Sequence, residues 1–414
     1  SEGNAQADQQ RRRIIWTLFA ISALGSTGYI AAVTAGTLAA AEIAGSTGPG
    51  GLPTATSTLG TAAAASLLSV VMLRSGRRRG LLLGVAIGAF GGAIALGGVL
   101  AISLPLLLVG SALAGFANGA SQLGRYVAAD LVPSGQRART IGTVVWGATI
   151  GAVAGPNLVG PSGAVAESLG LPALAGTYAV TMVFIGLALL AAFVFLRPEP
   201  FSLADPAALA AHAERGAPAS IGSLFRRPST AVALVTLASG QVVMMLIMTM
   251  TPIHLTDHGH GLGTVGFVLS AHTFGMFALS PISGRLTDRF GSPLIIAAGL
   301  TTLAFAALLA VIAPPDSSAL LTFALFLLGF GWNLGFVAGS AMLTRGLTLG
   351  ERTRVQGVAD SLIWTTAAVA GLASGYIVAA ASYSALGLLG IGLVLPAAGL
   401  LLLRRNSMVV APSA

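Results

Sequence analysis

The feature that most constrains this chain is an apolar run of about 20 residues, the length of a membrane-spanning helix, which recurs from one end to the other. Short segments rich in Gly, Pro or Arg separate the runs. The runs are too long and too continuously apolar for the strands of a membrane barrel. Of the 414 residues, 55% are hydrophobic and only 8% are charged. The chain is therefore predicted to be an all-α membrane protein.

The apolar runs predict twelve transmembrane helices. The predicted spans are 14–40, 54–73, 80–102, 104–130, 140–164, 171–196, 229–254, 264–284, 291–313, 318–344, 355–381 and 384–403. The one long polar segment, 197–228, is predicted to contain an interfacial helix at 205–214. The predicted organisation is a six-helix half at 1–196, a central loop at 197–228 and a second six-helix half at 229–414.

The two halves resemble each other in sequence. One constant offset, without a gap, aligns Gly25 with Gly240, Arg74 with Arg289, Gly76 with Gly291, Asn118 with Asn333, Gly135 with Gly350, Arg137 with Arg352, Arg139 with Arg354 and Gly142 with Gly357. A parallel repeat of two six-helix halves predicts a binding site near the bilayer midplane, between the halves, that opens alternately to each side.

The distribution of charge predicts the orientation. All 21 basic residues are Arg, and all except Arg125 fall on one side of the predicted topology. Because cytoplasmic loops retain Arg, both termini and the central loop are predicted to be cytoplasmic in a bacterial inner membrane. The pI near 11.1 then reflects topology, and without aromatic-interleaved basic patches no nucleic-acid partner is expected. The absence of Cys excludes disulfides and thiolate ligands.

One loop carries a recognisable signature. The sequence GRLTDRFG, from Gly284 to Gly291, resembles the loop G-x-L-x-D-R-x-G of the major facilitator superfamily. The resemblance covers nearly the whole chain and implies the major facilitator fold, with two pseudo-symmetric six-helix halves. Asp288 is expected to cap a neighbouring helix N-terminus, with Arg289 at the interface. The first-half copy, VVMLRSGRRR, has Leu73 where the carboxylate belongs, so its latch is expected to be weaker or differently built.

Spans seven and eight carry Met and His at helical spacing. Met244 and Met248 share one helix face, as do His272 and Met276. Counted inward from the outer ends of two antiparallel spans, Met248 lies about as deep as His272, and Met244 about as deep as Met276. Soft thioethers select Cu(I) and imidazole accepts copper well. Packing is the alternative for the Met pairs, whereas an ionisable His inside a membrane indicates function by default.

The pair MxxxM followed by HxxxM also resembles the signature of the CcoA-like copper importers, the CalT family, which supply copper for cytochrome oxidase assembly. The resemblance implies copper import and applies only to Met244, Met248, His272 and Met276. Family members can also carry metal-handling cysteines, and this chain has none. Copper is thus expected as the transported substrate, without a permanently bound cofactor.

A His-rich loop follows span seven. The sequence TPIHLTDHGHGLG contains His254, Asp257, His258 and His260. Imidazoles and a carboxylate bind divalent metals, so this loop is predicted to form a periplasmic metal-capture vestibule. The alternative is a solvated, turn-forming loop, and the spacing matches no closed zinc site.

Two ionisable residues, Arg125 and Asp360, lie at similar depths within predicted spans. Because buried unpaired charges are costly, they are predicted to pair at an inner gate. Asp130 is the rival partner for Arg125, and Asp360 has the rival role of carrying a coupling proton. Asn118 and Asn333 are predicted either to line the cavity or to link helices.

Span five contains a ridge of small residues. In GATIGAVAGP, the residues Gly147, Gly151, Gly155 and Pro156 recur every four positions or end the ridge. The pattern resembles a motif of drug and proton antiporters of the same superfamily. The alternative is close helix packing with a terminal proline bend.

Three functions are consistent with these residues. The first is copper import by alternating access, with the copper ion and the lipid bilayer as partners and a monomer as the expected form. The second is a proton-coupled drug or metabolite exporter, disfavoured because the carboxylate of span one, Glu42, lies only near its outer end. The third is a membrane metal sensor that does not transport. The sequence shows no catalytic triad, phosphate loop or catalytic carboxylate pair, so no enzyme is predicted.

Overall fold

The computed structural model describes residues 2–45, 48–204, 219–260, 262–314 and 317–408, and these residues form helices and turns without a strand. The long helices are α1 Glu2–Ala44, α2 Leu52–Ser75, α3 Arg77–Leu100, α4 Leu104–Asp130, α5 Arg137–Ser168, α6 Ala173–Phe195, α7 Pro228–Asp257, α8 Leu262–Phe277, α9 Ser280–Phe290, α10 Ser292–Ile312, α11 Ser318–Leu343, α12 Leu349–Ala380 and α13 Tyr383–Met408. A short helix, Ile221–Phe225, precedes α7. The interfacial helix predicted at 205–214 lies outside the described residues.

Each predicted span corresponds to one long helix, except span eight. In the described part of the chain, 11 helices are long and apolar enough to cross a membrane. Predicted span eight, 264–284, is divided: α8 ends at Phe277 and α9 begins at Ser280. Pro281 stands in the first turn of α9, where the N–H that proline lacks is not needed. The expectation of one continuous helix at 264–284 is wrong for this reason.

The contacts of the chain define two compact units. Unit 1 comprises residues 1–133, 144–210 and 356–365, and unit 2 comprises 134–143, 211–355 and 366–414. Each unit therefore contains most of one predicted half together with one short segment of the other half. The segment in unit 2 is the start of α5, and the segment in unit 1 is the middle of α12.

Small residues permit close helix packing in unit 1. The closest neighbours are α3 with α4, α2 with α4, and α1 with α6. A Cβ on Gly91 of α3 would lie 2.4 Å from the backbone nitrogen of Ala114, which is closer than two such atoms approach. Only glycine therefore fits this contact between α3 and α4.

Unit 2 is organised around α11, which packs against α7, α8, α9 and α10. The indole Nε1 of Trp332 on α11 donates to Oε1 of Gln241 on α7 at 2.8 Å. Thr236 of α7 lies beside Gly335, so α7 and α11 run antiparallel. These contacts fix the depth of every α7 side chain relative to α11.

Candidate functional site

His272 on α8 has one bound and one free ring nitrogen. The side chain is fully buried, and its Nδ1 lies 2.9 Å from the carbonyl oxygen of Leu325 on α11. A carbonyl only accepts hydrogen bonds, so Nδ1 must carry the proton, and Nε2 of the neutral ring holds a lone pair. Among the described residues, Nε2 has no hydrogen-bond partner. The imidazole is thus oriented with an available electron-pair donor.

The methionines of α7 lie on the face that meets α11. Gln241, Met244 and Met248 follow one another at helical spacing, and Gln241 is bonded to Trp332. Because the helices are antiparallel, Met248 lies about two turns from Gln241, at the level of Leu325, to which His272 is bonded. Met244 is 3% exposed, and Met248 is partly buried.

The second pair of predicted ligands also shares a level. Gly329 on α11 packs directly against the backbone of His272 and Met276, since a Cβ there would lie 2.2 Å from the His272 carbonyl oxygen and 3.0 Å from the Met276 nitrogen. By the register of α7 with α11, Met244 lies near the level of Gly329. The equal depths predicted for the two pairs therefore agree with how α7 and α8 each pack on α11.

Two other methionines of α7 face a different helix. The Cε of Met245 lies 3.3 Å from where a Cβ of Gly371 would stand, and the Sδ of Met250 lies 3.8 Å from the same position at Gly375. Both glycines belong to α12. Met245 and Met250 are thus packing residues against α12 and serve as controls for the predicted ligands.

The predicted capture residues lie where α7 ends. The ring of His254 stacks on Tyr383 with centroids 4.2 Å apart, and the ring of His258 lies 4.5 Å from that of His254. Nδ1 of His258 donates to the carbonyl of His254, whereas Asp257 is exposed and the backbone of His260 bonds to the end of α7. Within the described ranges, no three His, Cys, Asp or Glu side chains are grouped to hold a metal. The vestibule stays a prediction.

Asn333 bridges the break between α8 and α9. Its Nδ2 donates to the carbonyl of Met276 at 2.6 Å and to Oγ of Ser280 at 2.6 Å, and its Oδ1 accepts from Ser283. The side chain is fully buried. Asn333 thus satisfies a carbonyl that the interrupted helix leaves open, and of its two predicted roles the structure places it as a link between helices.

Asn118, which the repeat aligns with Asn333, meets an unbroken helix. Its Nδ2 donates to Oγ1 of Thr61 on α2 at 3.3 Å. The surrounding packing is nevertheless the same in both repeats: a Cβ on Gly115 would lie 2.1 Å from the Ser57 carbonyl and 2.8 Å from the Thr61 nitrogen. Ser57 and Thr61 therefore occupy in unit 1 the places that His272 and Met276 occupy in unit 2.

Arg125 and Asp360 form a buried ion pair in unit 1. Nη2 of Arg125 lies 2.9 Å from Oδ1 and 3.2 Å from Oδ2 of Asp360, and the side chains are 2% and 1% exposed. The hydroxyl of Tyr126 donates to Oδ1 of the same carboxylate, and Arg125 also donates to Gln122. The structure brings together the two residues that the sequence pairs, and their gating role stays a prediction.

Asp130, the rival partner, is engaged by an arginine that sequence reasoning did not single out. Nη2 of Arg77 lies 2.5 Å from Oδ2 of Asp130, and Nη1 of Arg77 donates to Gln356 at 3.3 Å. Arg77 is 3% exposed although it lies in a run of arginines predicted to be on the cytoplasmic side. Glu199 also accepts hydrogen bonds from the backbone N–H groups of Arg77 and Arg78 and so caps α3. In the sequence, the only indication of this cap is the carboxylate of Glu199, which follows the end of α6.

Asp288 caps the N-terminus of α5, as its motif predicts. Its Oδ1 accepts from the N–H of Ala138 at 3.2 Å and its Oδ2 from the N–H of Arg139 at 2.9 Å. Burial raises the pKa of the Asp288 carboxyl above its usual range, and the two backbone hydrogen bonds and the charge of Arg139 oppose this rise. Arg289 is exposed and lies over the ring of Phe290.

The N-terminus of α12 is capped by its own residues. The hydroxyl of Thr348 accepts from the N–H of Glu351, and the carboxylate of Glu351 accepts from the N–H of Thr348. This reciprocal pair needs no carboxylate from a neighbouring loop. The N–H of Glu351 is thereby satisfied within α12 itself.

The glycine ridge of α5 packs on α1. A Cβ on Gly147, Gly151 or Gly155 would lie within 3.0 Å of backbone atoms of α1. The helix continues through Pro156 to Ser168, so the ridge does not end in a break. These contacts account for the glycines by close packing, and the antiporter resemblance of the ridge stays a prediction.

The fold and these side chains define a class of protein. Long apolar helices repeat in two related sets, and ionisable and soft-ligand side chains are buried inside them. Such an arrangement belongs to multi-pass membrane transporters.

Comparison with known proteins gives the family. The model of the Major Facilitator Superfamily matches residues 15–263 and 232–412, so the chain belongs to this superfamily. The uncharacterized MFS-type transporter YdeG of Bacillus subtilis (strain 168) is 37% identical over 379 residues, 90% of this chain and 88% of that protein. The riboflavin transporter RfnT of Brucella anthropi is 30% identical over 364 residues, 88% of each chain.

A solved structure shares the fold. The human organic anion transporter MFSD10 (TETRAN) matches with a TM-score of 0.75 at 19% identity, over 94% of this chain and 99% of that one. At this level of identity the match concerns architecture alone.

Proposed function

We propose that this transporter imports copper ions, which Met244, Met248, His272 and Met276 bind during transport. The observation that supports the proposal best is the ring of His272, whose Nδ1 is held by a backbone carbonyl while Nε2 keeps its lone pair. Metal-binding imidazoles are typically oriented in this way, with the other ring nitrogen donating to a carbonyl or carboxylate.

The methionines supply the soft part of the ligand set. Met248 lies at the level of His272, and Met244 at the level of Met276, on helices that pack on α11. Thioether sulfur favours Cu(I) over hard cations, and a few neutral ligands hold an ion weakly enough for release. In unit 1 the residues that the repeat aligns with Met244 and His272 are Tyr29 and Ser57, whose oxygens lie 3.4 Å apart. This spacing supports a similar approach of Met244 to His272.

Copper uptake tests the proposal directly. Cells with and without the protein are supplied with copper, and the metal is measured by mass spectrometry. We expect His272→Ala and Met248→Ala to reduce protein-dependent accumulation about tenfold or more, the range seen when the ligand environment of a metal is disturbed. Normal accumulation by both variants would remove copper from consideration.

Met245→Ala is the matched control. It removes the same side chain from the same helix, but Met245 packs against Gly371 of α12. We expect unchanged copper accumulation at equal protein level. Purified protein in liposomes separates transport from sensing, because a sensor binds copper at the membrane without filling the liposome interior.

A second candidate substrate is a flavin-like organic solute. It is supported by the relative named as a riboflavin transporter, which is 30% identical over 88% of both chains. Unit 2 also contains a stack of aromatic rings, with Trp332 and Phe336 separated by 4.4 Å and Phe277 against the edge of Trp332. Aromatic side chains of this kind bind planar ring systems by stacking.

Labelled riboflavin in the same cells separates the two candidates. Copper uptake that depends on His272 with no riboflavin uptake supports the first proposal. Riboflavin uptake that survives His272→Ala and falls in Trp332→Leu supports the second.

The orientation in the membrane is also a proposal. We infer from the arginine distribution that both termini and residues 197–228 face the cytoplasm of a bacterial cell. Since the chain has no Cys, single cysteines introduced into the central loop give labelling without background. Labelling of the central loop from outside intact cells would contradict the inferred topology.

A further inference from the structure

Three arginines of unit 1 lie around the end of α6. Arg13 of α1 directly precedes the predicted span 14–40, Arg78 is in the first turn of α3, and Arg197 lies two positions beyond the end of α6. In the fold, α6 packs against both α1 and α3. Each arginine thus lies where an apolar span begins or ends, which is the level of the membrane surface.

Two of these arginines bond to carbonyl groups at and just beyond the C-terminus of α6. Nη2 of Arg78 donates to the carbonyl of Phe193 at 2.9 Å, and Nη2 of Arg13 donates to the carbonyl of Arg197. Carbonyls at a helix end have no partner within their own helix, so capping accounts for one N–H of each arginine. A guanidinium group has five N–H donors. Nε of Arg78 is buried and has no hydrogen-bond partner among the described residues.

The ring of Phe193 holds two of the guanidinium groups in one place. Cζ of Arg78 lies 5.8 Å from the centroid of this ring, and Cζ of Arg197 lies 5.3 Å from it. An aromatic face attracts cations at such distances. The ring therefore stabilises two like charges near each other, although they repel.

The positive charge at the end of α6 is not balanced by a neighbouring carboxylate. In the part of the chain that the structure describes, no Asp or Glu side chain forms an ion pair with Arg13, Arg78 or Arg197. Glu199 follows closely in sequence, but its carboxylate oxygens accept from backbone N–H groups at the start of α3. The three arginines therefore favour an anionic ligand.

An apolar stripe on α6 leads from the arginines into the membrane. Leu187, Leu190 and Val194 recur at helical spacing and are exposed, as is Phe193 beside them. A soluble anion would leave this stripe uncovered. A phospholipid covers it with an acyl chain while its phosphate reaches the arginines.

We propose that Arg13, Arg78 and Arg197 bind the phosphate of an anionic phospholipid. Guanidinium groups donate paired hydrogen bonds to phosphate oxygens, and an acyl chain of the lipid lies along Leu190 and Leu187. A zwitterionic lipid binds more weakly, because its ammonium group adds a positive charge to a site that already has three. The site belongs to unit 1 and is independent of the proposed copper ligands, which belong to unit 2.

Lipid binding to the purified protein tests the proposal. Delipidated protein in a neutral detergent is titrated with dioleoylphosphatidylglycerol, and the bound lipid is measured by native mass spectrometry. We expect Arg197→Gln to weaken the strongest binding about three- to tenfold, the effect of removing one cation from a membrane-surface site. This variant leaves the caps of α6 in place, because Arg13 and Arg78 are unchanged. Arg197→Lys keeps the charge and is expected to bind more tightly than Arg197→Gln.

Arg345→Gln is the matched control, since Arg345 is also exposed and also lies two positions beyond the end of a span, in this case α11. It is expected to leave the strongest lipid binding unchanged. Dioleoylphosphatidylethanolamine has the same acyl chains and is expected to bind more weakly than the anionic lipid.

Glycerol phosphate, which has the anionic group without acyl chains, distinguishes a lipid from a soluble anion. It is expected not to displace the lipid at equal concentration. Displacement would overturn the proposal, because the ligand would then be a soluble anion. Equal affinity for the two lipids, or equal binding by Arg197→Gln and the native protein, would overturn it as well.

Discussion

The two units place their strongest polar interactions at different positions. Unit 1 contains the buried pair Arg125 and Asp360, and the repeat aligns these residues with Ser340 and Val145, neither of them charged. Unit 2 contains instead a broken helix clamped by Asn333.

The backbone contacts are much more alike. The equivalent approaches of Gly115 and Gly329 to neighbouring helices match to within about 0.2 Å. The comparison teaches that close packing through glycine is shared by both units, whereas the bonding partners of the buried polar side chains differ between them.

The ion pair gives the largest expected effect. Asp360→Asn leaves Arg125 buried without its counter-charge, and removal of one partner of a buried pair costs about 3 to 5 kcal/mol. Denaturant titration of the purified protein measures this loss. The double variant Arg125→Gln, Asp360→Asn should recover much of it, because no lone charge then stays buried.

The exposed carboxylate Asp257 provides the control for this experiment, and Asp257→Asn is expected to leave stability unchanged. If Asp360→Asn were as stable as Asp257→Asn, the buried charges of Arg125 and Asp360 would not give unit 1 a stronger polar interaction than unit 2.

The aligned asparagines give an intermediate effect. Asn333→Ala removes three hydrogen bonds and exposes an unsatisfied carbonyl of Met276, for which we expect a loss of about 2 to 4 kcal/mol. Asn118→Ala removes one long hydrogen bond to Thr61, for which about 1 kcal/mol is expected. Equal losses in the same denaturant titration would contradict the distinction between a broken and an intact helix.

The smallest effect is the pH dependence of the α5 cap. Burial raises the pKa of Asp288, so the folded protein holds this proton more strongly than the unfolded chain. The associated stability is complete below the unfolded pKa of about 3.9 and is lost as the pH rises through the raised folded pKa.

Over this interval the native protein should therefore lose stability relative to Asp288→Asn, by about 1 kcal/mol or less because solvent screens a partly exposed group. Above both pKa values the difference should be constant. A difference that grows in the opposite direction would mean that the hydrogen bonds from Ala138 and Arg139 outweigh burial.

Much of this architecture could be predicted from the sequence, because length and hydropathy determine where helices cross a membrane. The loop GRLTDRFG predicts the cap that Asp288 places on α5, since a carboxylate in a loop readily accepts from a helix N-terminus. The depth of His272 relative to Met248 also follows from helical rise alone.

Other features depend on which side chains meet. The sequence 264–284 is mostly apolar, so its hydropathy does not indicate the break after Phe277 that Asn333 makes tolerable. Arg77 belongs to a run of arginines, and the sequence does not distinguish it from its neighbours. Its ion pair with Asp130 becomes evident only in the fold.

The pair formed by Arg125 and Asp360 also has a consequence for the time course of synthesis. The two residues are separated by 235 positions, and Asp360 lies in the segment of α12, residues 356–365, that belongs to unit 1. A ribosome adds about 5 to 20 residues per second, so Arg125 is in place roughly 10 to 50 seconds before its counter-charge is made. During this interval the free energy of the charged arginine is lowest near the membrane surface, where its long side chain reaches water. The first bundle to be made is therefore completed only after most of the second has left the ribosome.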